Sequence, residues 1–472
     1  MIDAPDFSAA AKSILAPKDI MTDSDAMAPF LQDWRRMFTG KALAVCLPRS
    51  TAQVSALVRL CAAHDIGIVP QGGNTGLAGG ATPDGTGQSI VLSLARMNQI
   101  RDMDRISLTV TAEAGVIIDT LRAALAEQGR DLPISFGATG SATLGGVIAT
   151  NAGGANVLRA GMTGTMVLGL EVVLADGSVV SKLSGLHKDN SGLNWTQLFV
   201  GSEGSLGIIT AAVMRTTALA RSTATALLAV SDAATALLVY GIAVDQLGGC
   251  LTTFEIISAE AAARVEAKMG VPVPVASSGW LLLVEAATTS NTLTVMFDKF
   301  IEDIFAESLC ADGMIAANEA QRNAIWRLRE SLTEAEALSG PSVKHDISVP
   351  VSRIPEFLIQ GAAVVADVAA QTGAQLSPHV FGHIGDGNLH YNILTDRPDL
   401  SKPLITAIHD LVTSFVGSIT AEHGVGQYRL DEAYRLLPHG QLALQEKIKA
   451  ALDPKGILNP GKLVRLQASK LA

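Results

Sequence analysis

Cysteine and aromatic side chains are scarce in this sequence, and no block of basic residues occurs. The 4 cysteines among 472 residues, Cys46, Cys61, Cys250 and Cys310, lie far apart without a CxxC spacing. That excludes a disulfide framework and a thiolate metal site, and it fits a reducing compartment. Against 45 Asp+Glu stand 35 Lys+Arg, for a formal charge of -10, so nucleic acid is not an expected partner. The N-terminus, Met1 to Asp6, is acidic and lacks the basic flank and apolar run of a signal peptide. The uncharged stretch between Asp131 and Arg159 is filled with Gly, Thr, Ser and Asn, which suits tight turns rather than a lipid-facing helix. A soluble, cytoplasmic protein with no transmembrane segment is expected. Aromatics make up 4% of the chain, yet 48% hydrophobic residues leave ample material for a large core and exclude disorder.

What is abundant is glycine, 44 residues in all, and it is unevenly spread. It concentrates in 72–80, 137–164 and 201–207, then returns in 382–387 and 424–426. The first three clusters alternate with strand-like runs at Ile66–Pro70, Ile90–Leu94, Leu108–Ala112 and Leu168–Leu174. Helical patterns lie between them at Thr51–His64 and Ile118–Gln128. This predicts an α+β unit over residues 1–219. A second α+β unit follows over 220–424, with Ala- and Leu-rich helices at 233–246, 258–269, 291–308 and 318–338 and a strand at Trp280–Glu285. The turn-rich tail, 425–472, is expected to pack back on the first unit.

Glycine lets a backbone turn with positive φ and lets its N–H groups approach an anion closely. The loop Pro70-Gln71-Gly72-Gly73-Asn74-Thr75-Gly76-Leu77-Ala78-Gly79-Gly80 directly follows a strand but is neither the GxGxxG of a Rossmann unit nor a Walker A loop. A second run, Gly137 to Gly154, and a third, Gly201 to Thr210, repeat its chemistry with hydroxyl and amide side chains interspersed. Turns alone explain any one such cluster; three together favour a phosphate-bearing ligand.

Five of the nine histidines fall between 379 and 423. In Phe381-Gly382-His383-Ile384-Gly385-Asp386-Gly387-Asn388-Leu389-His390 an unbroken strand would put the two outer histidines on opposite faces. A turn at Gly385–Gly387 brings both onto one face, as a two-histidine metal site requires. A third ligand can come from Ala421-Glu422-His423-Gly424-Val425-Gly426. His64, His187, His409 and His439 lack such company and read as ordinary core or surface groups.

The first glycine loop, the Gly137–Gly154 run, Gly201–Thr210 and the closing Asp453-Pro454-Lys455-Gly456-Ile457-Leu458-Asn459-Pro460-Gly461-Lys462 together resemble FAD-linked dehydrogenases of the vanillyl-alcohol oxidase superfamily. The resemblance spans nearly the whole chain. It implies an FAD-binding domain of that type with an α+β substrate (cap) domain. It also implies FAD contacts from Pro70, Gly72, Gly73, Asn74, Thr75, Gly76, Leu77, Gly137, Thr139, Gly140, Thr143, Gly145, Gly146, Thr150, Asn151, Gly154, Glu203, Gly204, Ile208, Ile209 and Asn459. Members that tether FAD often use a histidine in the first loop, and Asn74 stands there, so the cofactor is expected to be non-covalent. Ala160 stands where relatives often carry an aromatic between Arg and Gly.

The His383–His390 and Glu422–His423 strings are similar to those of D-2-hydroxyglutarate and D-lactate dehydrogenases. That likeness implies zinc or a similar divalent metal on His383, His390 and Glu422, with His423 as the base. Oxidising a 2-hydroxy acid needs a base for the hydroxyl proton and a hydride acceptor, which no side chain supplies and a flavin does. The substrate expected is a D-2-hydroxy dicarboxylate, D-2-hydroxyglutarate first and D-malate second. Arg329 and Thr333, at i and i+4 of a helical pattern, share a face and with Lys344 would hold the distal carboxylate. Asn388 joins this set. The D-2-hydroxyglutarate enzymes carry such an Arg, Thr and Lys; the lactate enzymes lack the Lys. Alternatives are a D-lactate dehydrogenase or a non-redox flavin-fold transferase resembling alkyl-dihydroxyacetone-phosphate synthase. An electron-transfer flavoprotein or a quinone is the implied acceptor, and family members are often dimers.

Overall fold

The computed structural model describes residues 4–466. The chain divides into two compact units, the first made of Met1–Gly154, Gly161–Leu219 and Glu422–Ala472, the second of Ala155–Ala160 and Ala220–Ala421. The short insert 155–160 therefore groups with the second unit, and the return to the first falls at Glu422.

The first unit holds β1 (Ile20–Met21), β2 (Val45–Cys46), β3 (Gly67–Gln71) and β4 (Ser89–Ser93) in one sheet of order β1-β2-β4-β3, parallel from β2 onward. All five residues of β4 are buried, as a central parallel strand demands. A second sheet is antiparallel, built from β5 (Ile100–Asp104), β6 (Thr109–Glu113), β8 (Val167–Val173), β9 (Val179–Ser181) and β10 (Ile208–Arg215) in the order β5-β6-β10-β8-β9. The short strands β7 (Arg130–Asp131) and β11 (Thr217–Ala218) pair with each other. The Thr51–Ala63 helix starts where Ser50 caps it through Gln53 N–H, and it buries Val54, Leu57, Val58 and Cys61. The tail docks within this unit: Ile68 N–H donates to Ile457 O and Asn459 N–H to Ile68 O. Buried Lys449 gathers Ser205 O, Asp453 and Leu458 O behind it.

The second unit is one antiparallel sheet with helices on both faces. Its strands are β12 (Ser222–Val230), β13 (Leu251–Ser258), β14 (Trp280–Thr288), β15 (Asp312–Ile315), β16 (Ser342–Val343), β17 (Asp346–Ser348), β18 (Leu376–His383) and β19 (Asn388–Thr395). They run in the order β15-β12-β14-β13-β18-β19-β16, with β17 also on β19. On one face Leu227, Ile257, Leu283 and Phe381 pack with Val265, Ile325, Leu328 and Leu332 of the Ala259–Met269, Glu319–Glu330 and Leu332–Ser339 helices. Helices Ala233–Leu247, Leu293–Ala306 and Ile354–Thr372 serve the other. The Ala233–Cys250 stretch has the length and apolarity of a membrane span, with mean hydropathy 1.3. It nevertheless buries one stripe, Ala236, Val239, Ala243 and Leu247, at the spacing of an amphipathic core helix.

The helix expected over 318–338 is interrupted at Ser331, which ends one helix and starts the next. Serine competes with the helical ladder for hydrogen bonds, and His379 Nε2 binds Leu332 O at the break. Ser331 nonetheless keeps α-region dihedrals, its N–H still donates to Arg327 O and its C=O still accepts Ala335 N–H, so the helical course runs on across the break. Arg329 turns inward, whereas Thr333 is exposed.

Candidate functional site

In the first unit the three glycine runs converge. A Cβ on Gly73 would lie 1.9 Å from Ser141 O, and one on Gly72 would lie 2.2 Å from Thr143 Oγ1, so only glycine permits the first loop to touch the second. The third run closes on the second through Gly201 N–H to Ile148 O and Glu203 N–H to Ala149 O. Asn459 Nδ2 then ties Gly80 O at 2.9 Å and Glu203 O at 2.6 Å. Nothing stands within 4 Å of a Cβ built on Gly76 or Gly137, so those backbone stretches are open to a ligand. Thr143 Oγ1 and Asn459 Oδ1 are buried with no hydrogen-bond partner among the described residues. Buried polar atoms left this way suit a ligand that supplies the missing partner.

Several expected cofactor residues have a second occupation. Asn151, at φ 48°, accepts Gly164 N–H on Oδ1 at 2.8 Å, and Thr150 Oγ1 donates to Gly146 O. Asn74, also left-handed at φ 52°, gives its amide to Gln32 O and Pro29 O. Gly145 and Gly154 pack against Ala114 and Ser135 O too closely for a side chain, while Ile208 and Ile209 belong to the core. An open cavity of about 450 Å³ is lined by Asn151, Met162, Gly164, Thr165, Val167, Asn194 and Gln197. Of these, only Asn151 was legible beforehand. Met162 and Gly164 lie at the end of the 137–164 glycine cluster, the other four carry no motif, and the Asn151–Gly164 bond that joins the segments spans 13 residues.

Glu203 holds the Gly424–Gly426 segment: its carboxylate accepts Val425 N–H at 2.7 Å and Gly426 N–H at 2.8 Å. Burial pushes its carboxyl up to about 7, against those N–H groups and Lys462. Burial pushes Lys462 down to about 8, so the lysine still carries most of its charge at the pH where Glu203 begins to titrate. A raised carboxyl means the folded state binds the proton more tightly than the unfolded one. The associated stability is present below the ordinary value and is lost as pH rises through about 7. The melting temperature of the native chain should therefore fall relative to that of Glu203→Gln between pH 5 and pH 8, by up to ~3 kcal/mol of stability. A pH-independent difference would show that Glu203 is charged throughout.

The second unit collects its polar groups on the sheet face covered by the Glu319–Glu330 and Leu332–Ser339 helices. The β18–β19 hairpin pairs His383 with Asn388 and Phe381 with His390. The turn thus puts both histidines on one face, with ring centroids 6.1 Å apart and one nitrogen of each within 4.8 Å of the other. On the neighbouring strand Asp346 pairs with His390, its Oδ1 3.8 Å from His390 Nδ1. Two imidazole nitrogens this close supply half of a zinc-type ligand set. Asn388 spends its amide N–H groups on Asp346 Oδ1 and Ile347 O, both at 2.9 Å, which leaves only its Oδ1 to act as an acceptor.

Two fully buried glutamates hold the cations. Glu255 on β13 accepts Arg329 Nε at 2.7 Å and bonds His383 Nδ1, and the Arg329 guanidinium lies 4.8 Å over the Phe381 ring. Burial opposes the charge on Glu255, but Arg329 and His383 outweigh it and hold the carboxyl well below the usual carboxylate range. Glu336 takes Lys344 Nζ at 3.0 Å and Asn392 Nδ2 at 2.7 Å. Glu255, Glu336, Asp346 and Asn392 escaped the sequence reading. Ala421 N–H donates to Asp346 O at 3.1 Å, and Glu422 and His423 follow it directly in the chain.

Sequence comparison gives this arrangement its family. The profile of FAD linked oxidases, C-terminal domain, matches residues 219–463, and that of an FAD binding domain matches 42–182. The mitochondrial D-2-hydroxyglutarate dehydrogenase of Bos taurus is 36% identical over 466 residues, 97% of this chain and 84% of the relative. The D-2-hydroxyglutarate dehydrogenase of Xanthomonas citri pv. viticola is 36% identical over 454 residues, 94% of each chain. The chain belongs to the FAD-linked D-2-hydroxyglutarate dehydrogenase family. As a member it is an FAD-linked D-2-hydroxyacid dehydrogenase, and the first two of the converging glycine runs lie within the matched FAD-binding domain. Its fold is that of the vanillyl-alcohol oxidase type. A solved alkyldihydroxyacetonephosphate synthase superposes with a TM-score of 0.74 at 18% identity, covering 97% of this chain and 84% of that one. The 4-ethylphenol oxidase of Gulosibacter chungangensis gives 0.73 at 18%, covering 97% and 96%. At that identity the likeness of this dehydrogenase to both is one of fold.

Proposed function

We propose that the chain oxidises D-2-hydroxyglutarate to 2-oxoglutarate, with D-malate as the next best substrate, and that a divalent metal on His383, His390 and Glu422 takes part. The observation that carries this reading is the single sheet face on which His383, His390, Arg329 and Lys344 gather. The names of the relatives favour it over a D-lactate dehydrogenase.

Bound FAD supplies the acceptor for the α-hydride. A divalent ion at the histidine pair supplies a Lewis acid that lowers the pKa of the substrate hydroxyl. The chain's own groups do the rest. His423 takes the hydroxyl proton as general base. Arg329 and Lys344 hold the distal carboxylate through charge-assisted hydrogen bonds, and the buried Glu255 and Glu336 hold those cations in place. An electron-transfer flavoprotein or a quinone would reoxidise the enzyme. The chain works in the cytoplasm, as its composition suggests.

The test is anaerobic addition of D-2-hydroxyglutarate to the yellow protein. Its ~450 nm flavin band should bleach; a band that stays unchanged while dithionite bleaches it would sink the assignment. The same preparation tests attachment. Asn74 presents an amide, too poor a nucleophile to bond the flavin methyl carbon, and both its N–H contacts go to backbone carbonyls. Acid precipitation should leave a colourless pellet and a yellow supernatant, whereas a yellow pellet would mean a covalent tether.

A further inference from the structure

Glu255 occupies an unusual place for a charged residue. All eight residues of β13 are buried, and Glu255 among them is 0% exposed. An unpaired charge there would be costly, so its two oxygens must be satisfied by groups that themselves stay put. One oxygen takes Arg329 Nε at 2.7 Å; the other takes His383 Nδ1. The partners come from a helix and from a separate strand, respectively 74 and 128 residues further along the chain. A carboxylate is acceptor-only, so Nδ1 of His383 must carry the hydrogen. Nε2 is then the nitrogen through which His383 would meet a metal, and the ring cannot rotate without breaking the Glu255 bond. Nε of Arg329 is likewise spent, and no hydrogen-bond acceptor for its two Nη groups occurs among the described residues. The guanidinium plane is set by Glu255 and by the Phe381 ring beneath it, so the outer edge of the fork is preorganised for a second carboxylate.

We infer that Glu255 is a positioning residue that couples the two halves of the substrate site: one buried carboxylate sets the tautomer and angle of the metal-binding His383 and the orientation of the carboxylate-binding Arg329. This rests on the metal and substrate reading proposed above. Loss of the negative charge should therefore weaken metal binding and dicarboxylate recognition together.

Glu285 supplies the control. It lies on the same sheet face, one strand away on β14, and anchors the same helix through Arg322 at 2.7 and 2.8 Å and Trp326 at 2.8 Å, but it touches no histidine. In the FAD-loaded protein, Zn2+ affinity is measured by competition with a chromophoric chelator for the native chain, Glu255→Gln and Glu285→Gln, alongside melting temperatures. Glu255→Gln should bind Zn2+ ~10- to 100-fold more weakly and lose preference for D-2-hydroxyglutarate over D-lactate. Glu285→Gln should melt earlier with Zn2+ affinity unchanged. Equal weakening in both variants would mean that helix docking alone matters, and native affinity in Glu255→Gln would mean that His383 needs no such partner; either overturns the inference. Should Glu255→Gln fail to fold, Glu255→Asp keeps the charge and shortens the reach, and native Zn2+ affinity in it would overturn the inference equally. A native chain that binds no Zn2+ fails one step earlier, at the metal reading itself.

Discussion

Prolonged chelation of the FAD-loaded protein should abolish turnover and leave the flavin absorbance in place. The two histidines proposed as ligands lie on the β18–β19 hairpin of the second unit, whereas the converging glycine loops belong to the first, so removal of one group need not release the other. A Lewis acid on the substrate hydroxyl is worth several kcal/mol, and at ~1.4 kcal/mol per tenfold its loss should cost at least ~10²-fold in kcat. His390→Ala should lose the metal and the activity together. His423→Ala should retain the metal and fall ~10²- to 10⁴-fold in kcat, the usual contribution of a general base. Metal analysis, absorbance and rate on the same samples decide the matter. Full activity in protein shown to be metal-free would rule out the metal's part in the reaction, and loss of metal in His423→Ala would move that histidine from base to ligand.

Lys344→Ala is expected to change which acid the enzyme prefers. Removing a charge-assisted contact to the distal carboxylate costs ~1.5–3 kcal/mol, or ten- to about a hundred-fold in kcat/KM for D-2-hydroxyglutarate. D-Lactate, with no distal carboxylate, should lose a few-fold at most. The structure adds a complication: Lys344 neutralises Glu336, which is 0% exposed, and a buried glutamate left without its cation destabilises the fold. The single variant therefore mixes specificity with stability. Lys344→Ala combined with Glu336→Gln separates them, since the unpaired charge is gone while the cation is still missing. Melting temperature should recover in the double variant, and the loss of preference for the dicarboxylate should persist. If D-lactate is the best substrate of the native chain, or if D-2-hydroxyglutarate and D-lactate fall equally, the distal carboxylate does not meet Lys344.

Much of the local structure could be read directly. The strand run at Ile90–Leu94 and the helical pattern at Thr51–His64 are realised as β4 and as the Thr51–Ala63 helix, because their periodicity matches a buried strand and a capped amphipathic helix. The helix over 318–338 was readable in extent but not in continuity, since the interruption at Ser331 coincides with a contact from His379, 47 residues away from Leu332.

The motifs by themselves determined the family chemistry. Three glycine runs with hydroxyl and amide neighbours call for a phosphate-bearing cofactor, and two histidines around a Gly-Asp-Gly-Asn turn offer the nitrogens of the proposed metal site, because backbone freedom and ligand type are properties of the residues themselves. Which carboxylates support the site was decided only by tertiary structure. In Leu251-Thr252-Thr253-Phe254-Glu255-Ile256 the glutamate alternates with apolar residues as a solvent-facing strand residue would. It is nonetheless buried, because a helix covers that face and brings Arg329 to it. The same holds for Glu336 under Lys344 and for Asp346 beside His390. A buried charge is tolerated only when its partner is in place, and that partner is set by strand register and helix docking across scores of residues, which no local pattern encodes.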